Sequence, residues 1–353
     1  MARVMLGGIR AVVELGALQV MGEAVKVAAD GNLRIGVIGV GVMGSNHARV
    51  LSELQGVKLV GVVDPDSKQR NRVAHTLGCA AFADLEGLVA QGVDAVTIAA
   101  PTHLHREIAL ECAKRGIHMM VEKPVASTIE EGHAIVAAAH RAGITLMAGH
   151  VERFNPAVQS LKKAIKNENI LSIAITRVGP FPPRMSNVGV VIDLAVHDID
   201  LIRWFTDSEI VEIQPQTSSA VAEREDIALL QFRTASGVLA HINTNWLTPF
   251  KARNIHIATR EKYLIADLLT LQVTECFGFQ PDGSYSMRHL SVGYAEPLRA
   301  ELAAFINAVR TGDTPPVTGE EGVASLEIAI RCLNSRNVQS TAPQRKGPRR
   351  VVG

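Results

Sequence analysis

The stretch Leu33-Arg-Ile-Gly-Val-Ile-Gly39-Val-Gly41-Val-Met43-Gly44 decides the fold. An apolar, β-branched run stops at Gly39 and passes directly into G-x-G-x-x-G, with a helix expected to open near Met43. Gly39 permits the tight turn, Gly41 leaves room for a pyrophosphate to approach the backbone, and Gly44 lets helix and strand pack closely. Three glycines alone are a weak signal. The next apolar run, 59–63, ends at Asp64, about twenty residues beyond Gly44, the spacing at which a carboxylate meets the ribose hydroxyls of a dinucleotide. A carboxylate there repels a 2′-phosphate, and no Arg follows in Asp64-Pro65-Asp66-Ser67, so NAD is preferred to NADP.

Outward from this stretch, strand-like runs at 34–38, 59–63, 95–99, 118–121 and 145–148 alternate with helical segments such as 67–77 and 108–115. That alternation specifies a doubly wound parallel sheet over residues 32–150. The pattern then changes. Residues 226–233, a Ser236-Gly237 turn and 238–246 read as a hairpin. Its second arm puts Val238, Ala240, Ile242 and Trp246 on one side and His241, Asn243 and Asn245 on the other, so one face packs and the other stays polar and open. The expected architecture is α/β plus α+β: an N-terminal Rossmann domain, then a mainly antiparallel open-faced sheet domain over 151–337, its last helices able to pack back on the first domain.

Composition bounds the rest. A chain of 353 residues, 47% hydrophobic and 20% charged, can bury two cores. Thirty-six basic against thirty-five acidic residues leave a net charge of +1, which gives no field for a nucleic-acid backbone. Cys79, Cys112, Cys276 and Cys332 lie far apart with no ligand spacing, so they read as buried apolar residues of a cytoplasmic protein, and no metal site is expected. Residues 1–31 form an extension interrupted by Arg10, Glu14, Glu23 and Lys26, which excludes a membrane helix. Residues 338–353 carry Arg345, Lys346, Arg349 and Arg350 among Pro, Gly and Ser and are expected to be a disordered basic tail.

Two further constellations carry chemistry. Glu122-Lys123-Pro124 follows the strand at 118–121, at the carboxyl edge of the sheet where ligands lie in open α/β folds. An ammonium there can hold a hydroxyl and stabilise the alkoxide formed as hydride leaves. Ser127 with Glu130 is expected to box the next helix. In Asp193-Leu-Ala-Val-His197-Asp198-Ile-Asp200, helical spacing puts a carboxylate and an imidazole on one face of an apolar helix. That pair is costly to bury without purpose. Asp193 is expected to orient His197 and raise its basicity, as a general base requires.

In this order the motifs resemble the glucose–fructose oxidoreductase/inositol dehydrogenase family over residues 33–335. The resemblance implies Lys123, Asp193 and His197 as the catalytic group. It places Gly39, Gly41, Val42, Met43, Gly44, Asp64, Glu122 and Lys123, with Pro101, Thr102 and His105 on the nicotinamide side, around NAD. It further implies a homodimer or homotetramer built on the open sheet. Within the family, residues 149–158 and the stretch 179–184 are similar to the branch of UDP-N-acetylglucosamine 3-dehydrogenases. That branch oxidises a sugar 3-hydroxyl to a 3-keto UDP-sugar, a product suited to a pyridoxal-phosphate aminotransferase making a 3-amino sugar for a lipid A type glycolipid. A diphosphate needs cations, for which Arg153, beside Asn155, and Arg184 are the candidates; Arg153, Asn155 and Arg184 join Lys123, Asp193 and His197 as the residues expected to hold substrate. The alternatives are a dehydrogenase of a free sugar or inositol, and a non-catalytic NAD-binding regulator, which would have lost Lys123 or His197.

Overall fold

The computed structural model describes residues 31–182 and 188–335. Arg184, the tail 338–353 and all but the last residue of the extension 1–31 lie outside the described residues.

Strands β1 (Leu33–Ile38), β2 (Val57–Val63), β3 (Ala80–Phe82), β4 (Ala95–Ile98), β5 (His118–Glu122) and β6 (Leu146–Gly149) form one parallel sheet in the order β3-β2-β1-β4-β5-β6. The chain order reverses between β1 and β4, which opens a crevice beyond their carboxyl ends. Helices cover both faces, so Leu33, Ile35 and Val37 are wholly buried, each contributing about 1.5–3 kcal/mol. β3 was not anticipated, because three residues carry no readable period. Helices α1 (Val42–Glu53), α2 (Ser67–Leu77), α3 (Leu85–Val89), α4 (Thr102–Lys114) and α5 (Ile129–Ala142) connect the strands. The cap of α5 lies one residue beyond the expected position: Thr128 accepts from the Glu131 amide, and Glu131 reaches back to the Ser127 amide.

After the short helix α6 (Pro156–Ala164), an eight-stranded sheet forms around β7 (Ile170–Pro180). It contains β8 (Ile210–Ser218), β9 (Ile227–Thr234), β10 (Leu239–Asn245), β11 (Leu247–Thr259), β12 (Lys262–Asp267), β13 (Gln272–Phe277) and β14 (Ser286–Leu290). The expected hairpin is β9–β10, turning through Gly237 at φ 90. All pairs are antiparallel except β7 with β10. Ala240, Ile242 and Trp246 face inward onto a core with α6 and α7 (Val196–Thr206), while His241, Asn243 and Asn245 face outward. That outer face is less polar than expected, since Leu229, Leu239, Tyr263 and Ile265 also stand on it.

The chain then returns to the first sheet. α8 (Pro297–Thr311) packs on α1 and on the turn Val151–Phe154 that follows β6. α9 (Gly319–Asn334) belongs to both cores: Val323 and Leu326 join Ile135 and Leu146, whereas Ile328, Ala329 and Cys332 join Ile199 and Phe205. Close approach demands glycine here, because a Cβ on Gly322 would stand 2.6 Å from that of Ala148. No helix among the described residues is long and apolar enough to cross a membrane.

Candidate active site

The glycine loop forms the first wall of the crevice. Gly39 has φ 83, and a Cβ there would meet the Ala100 backbone at 2.6 Å; at Gly44 it would strike the Gly39 carbonyl at 1.8 Å. At Gly41 it would meet nothing within 4 Å, so the loop is open on the side that faces the crevice. The first turn of α1 has no side-chain cap and no acidic residue, which leaves its amides and positive dipole end for an anion. Asp64 is fixed rather than merely near: Oδ2 accepts from the Val40 amide at 2.9 Å and Oδ1 from the Asp66 amide at 2.9 Å. Val42 and Met43 remain exposed beside the loop, an apolar surface that a bound nucleotide would cover. These features fit a dinucleotide.

Of the residues assigned to the nicotinamide side, Pro101 is exposed, Thr102 is half-buried and His105 is buried. Its Nε2 lies 2.8 Å from the Ala100 carbonyl and its Nδ1 3.1 Å from the Pro124 carbonyl, so the ring sits between the two loops and its one N–H can donate to either. Glu122 is buried against His47 of α1 at 2.9 Å and accepts from the Lys123 amide at 3.1 Å. Burial alone would raise its carboxyl; His47 and Lys123 outweigh that and hold it below the ordinary range.

Lys123 crosses to the second half of the molecule. Its ammonium donates to the Asp193 carbonyl at 2.8 Å and to Asp193 Oδ1 at 3.1 Å, with both side chains about one-fifth exposed. Asp193 sits in a π-helical turn, Val191–Ala195, that runs into α7. Such wide turns recur at functional sites. His197 follows in the first turn of α7 and is 8% exposed. The expected carboxylate–imidazole pair is not what forms: Asp193 is bonded to Lys123, and burial holds His197 well below its ordinary 6.5, with Lys123 and Arg177 pushing the same way. His197 is therefore neutral at physiological pH, the form that can accept a proton.

Of the residues expected to meet a diphosphate, Arg153 and Asn155 lie among the described residues, and both have other partners. Arg153 is 2% exposed and donates to both oxygens of Asp200 at 2.7 Å, to Glu321 at 2.8 Å and to the Pro316 carbonyl at 3.1 Å. That geometry ties β6, α7 and α9 together and leaves no guanidinium edge facing the crevice. Asn155 is the N-cap of α6, accepting from the Ala157 amide and donating to the Leu268 carbonyl.

Sequence reasoning missed the ring of charge beneath His197. Arg177 of β7, wholly enclosed, binds Asp198 through three contacts of 2.7–3.0 Å and Glu152 at 2.8 Å, and Arg253 of β11 reaches Glu152 at 3.0 Å. Three buried charges, Asp198, Asp200 and Arg203, on one apolar helix were the available signal, since each must find a distant partner. Cys112, Cys276 and Cys332 are buried as expected, whereas Cys79 is half-buried. Burial pushes the Cys112 and Cys332 thiols up to about 12, which makes them inert. No cluster that could hold a metal exists among the described residues.

A dinucleotide crevice that abuts a lysine, a carboxylate and a neutral buried histidine defines a nicotinamide-dependent dehydrogenase. The chain belongs to the GFO/IDH/MocA oxidoreductase family: the model described as an oxidoreductase family with NAD-binding Rossmann fold matches residues 33–150, and the model of the GFO/IDH/MocA C-terminal domain matches 175–264. It is 31% identical over 282 residues to UDP-N-acetylglucosamine 3-dehydrogenase of Acidithiobacillus ferrooxidans, which spans 79% of this chain and 89% of that one. A solved structure of the A. ferrooxidans enzyme superposes with a TM-score of 0.80 at 29% identity, over 85% of this chain and 96% of that chain. Inositol 2-dehydrogenase 2 of Saccharopolyspora erythraea is 29% identical over 330 residues, 90% of this chain and 96% of that protein.

Proposed function

We propose that this oxidoreductase uses NAD to oxidise the 3-hydroxyl of UDP-N-acetylglucosamine to the 3-keto UDP-sugar. The observation that carries a dehydrogenase mechanism is the Lys123–Asp193 bridge beside a neutral, buried His197, across the crevice from the glycine loop. Bound on Gly39–Gly44 and Asp64, NAD would supply the acceptor for the hydride. His197 takes the hydroxyl proton. Lys123, held by Asp193, donates to the same oxygen and stabilises its developing negative charge. Asp193 therefore orients the lysine rather than the imidazole. The choice of sugar rests on the A. ferrooxidans relative and on the similar stretch 149–158.

We further propose a cytoplasmic homodimer or homotetramer in which the outer face of the eight-stranded sheet meets a second copy, burying Leu229, Leu239, Tyr263 and Ile265. A light-scattering mass equal to one 37.9 kDa chain would overturn that assembly. The 3-keto product suits a pyridoxal-phosphate aminotransferase acting next, in the making of a 3-amino sugar of a lipid A type glycolipid.

One observation favours a second reading, a free sugar or inositol as substrate: Arg153 is spent on Asp200 and Glu321 and cannot also meet a diphosphate. Incubation with NAD and a panel of UDP-sugars, free sugars and inositols, followed by absorbance of the reduced cofactor, decides between them. Oxidation of free N-acetylglucosamine or an inositol in preference to the UDP-sugar overturns the nucleotide-sugar reading.

A further inference from the structure

A pair of imidazoles lies behind the candidate base. His150, the residue after β6, stands edge to face with His197, the ring centroids 6.2 Å apart at 89°. Both are nearly enclosed, at 2% and 8% exposure, and the Nδ1 of each is buried with no protein hydrogen-bond partner among the described residues. His150 Nδ1 is 3.9 Å from Asp200 Oδ2, too long for a direct hydrogen bond. Buried polar atoms find partners or ordered water, and a water needs two to four polar neighbours. Two unmatched imidazole nitrogens and a carboxylate supply them.

We propose that His150 is a positioning residue for His197 that takes over its proton through a buried water and holds it against Asp200. The inference rests on the dehydrogenase reading above. At rest both rings are neutral, His197 protonated on Nδ1 and His150 on Nε2. When His197 Nε2 accepts the substrate hydroxyl proton, its Nδ1 proton passes to the water, and the water gives one of its own to His150 Nδ1. The substrate loses one proton to this chain and one hydride to the nicotinamide cofactor, the oxidant. The charge ends on an imidazolium beside Asp200, which Arg153 keeps ionised.

The surroundings of the two rings explain why the proton should move. Burial disfavours the imidazolium of His197 most, and Lys123 after β5, Arg177 of β7, His150 and Arg253 of β11 all act in the same direction. Burial lowers His150 too, but Asp200 of α7 and Glu122 of β5 act against Arg153 and Lys123 there, two carboxylates without a counterpart among the groups that shift His197. From α8 the same layer receives Glu301, whose carboxyl burial raises well above the ordinary range, with Glu122, Asp200 and Glu152 adding to the effect.

The test uses His150→Gln, which can bond the water but cannot carry the proton, and His150→Ala, which opens a cavity. With whichever sugar the full-length protein oxidises, turnover is expected to fall about a hundredfold in both, with the Michaelis constants for sugar and NAD little changed. Free imidazole should restore His150→Ala in part. In the cofactor-free protein, the nitrogen-15 resonances of the His197 ring should move in both variants. Wild-type turnover in His150→Gln overturns the relay, and so does loss in both variants that imidazole cannot rescue, which marks a structural role. If the wild-type protein oxidises nothing in the panel, the dehydrogenase reading fails by itself; the spectra still decide the relay, which unchanged His197 resonances overturn.

Discussion

Around Gly39–Gly44 the crevice is lined by backbone: glycines without side chains, the amides of α1, and one carboxylate, Asp64, fastened to two neighbouring amides. Around His197 the same crevice is lined by charge, in two locked sets: Arg177 with Asp198 and Glu152, joined by the partly exposed Arg253, and Arg153 with Asp200. The two ends answer different demands. A pyrophosphate brings its own charge and needs donors that cost nothing to present, whereas a proton transfer needs a field fixed in advance, which only locked side chains provide. The difference teaches that damage at the first end should be felt as lost affinity, and at the second as lost stability or lost turnover.

Arg177→Met tests the charged end most severely. It strands Asp198 without its guanidinium and leaves Glu152 only the partly exposed Arg253, and the expected cost is about 3–5 kcal/mol in urea unfolding. A loss below about 1 kcal/mol would show that the ring is hydrated and loosely held. Lys123→Met and His197→Asn separate chemistry from stability at the same end. Because Lys123 and Asp193 are partly exposed, Lys123→Met should change stability by less than about 1 kcal/mol, yet each variant should lower turnover by roughly a hundredfold. Near-normal turnover in both would remove them from the reaction.

Two glycines sharpen the backbone end. Gly44→Ala drives a methyl group into the Gly39 carbonyl and should cost about 1–3 kcal/mol, whereas Gly41→Ala meets open space and should leave the melting temperature unchanged while weakening NAD binding in calorimetry. Equal NAD affinity in Gly41→Ala would move the cofactor elsewhere. The smallest effect is on pH. Burial holds His105, His150 and His197 below 6.5 in the folded chain, so between those values and 6.5 the unfolded chain binds more protons. Stability should accordingly be complete above pH 6.5 and decline as pH falls below it. A urea midpoint higher at pH 5.5 than at pH 7.5 would contradict this.

The backbone end was legible in the sequence because its parts are near neighbours: three glycines in six positions and an aspartate one strand later. Lys123, Asp193 and His197 were legible as motifs, but their partners were not. The bond from Lys123 to Asp193 spans seventy positions, and nothing local distinguishes an aspartate that orients an imidazole from one that holds an ammonium. The same limit misplaced Arg153. Its neighbours in sequence suggested a linker open to substrate, while its true partners, Asp200 and Glu321, arrive from α7 and α9. Ser127 and Thr128 differ only in which hydroxyl the entering chain aims at Glu131, a matter of one residue that composition cannot decide.

α9 has a consequence for how the molecule comes into being. Its sixteen residues close both sheets, so neither half is complete when the ribosome has delivered only the residues before Gly319. Until then the inner surfaces around Leu146 and Phe205 lack their final cover, and a nascent chain stalled or clipped at that point would expose both at once. Maturation thus waits on α9, and the crevice, framed by halves that α9 joins, acquires its shape in the same event.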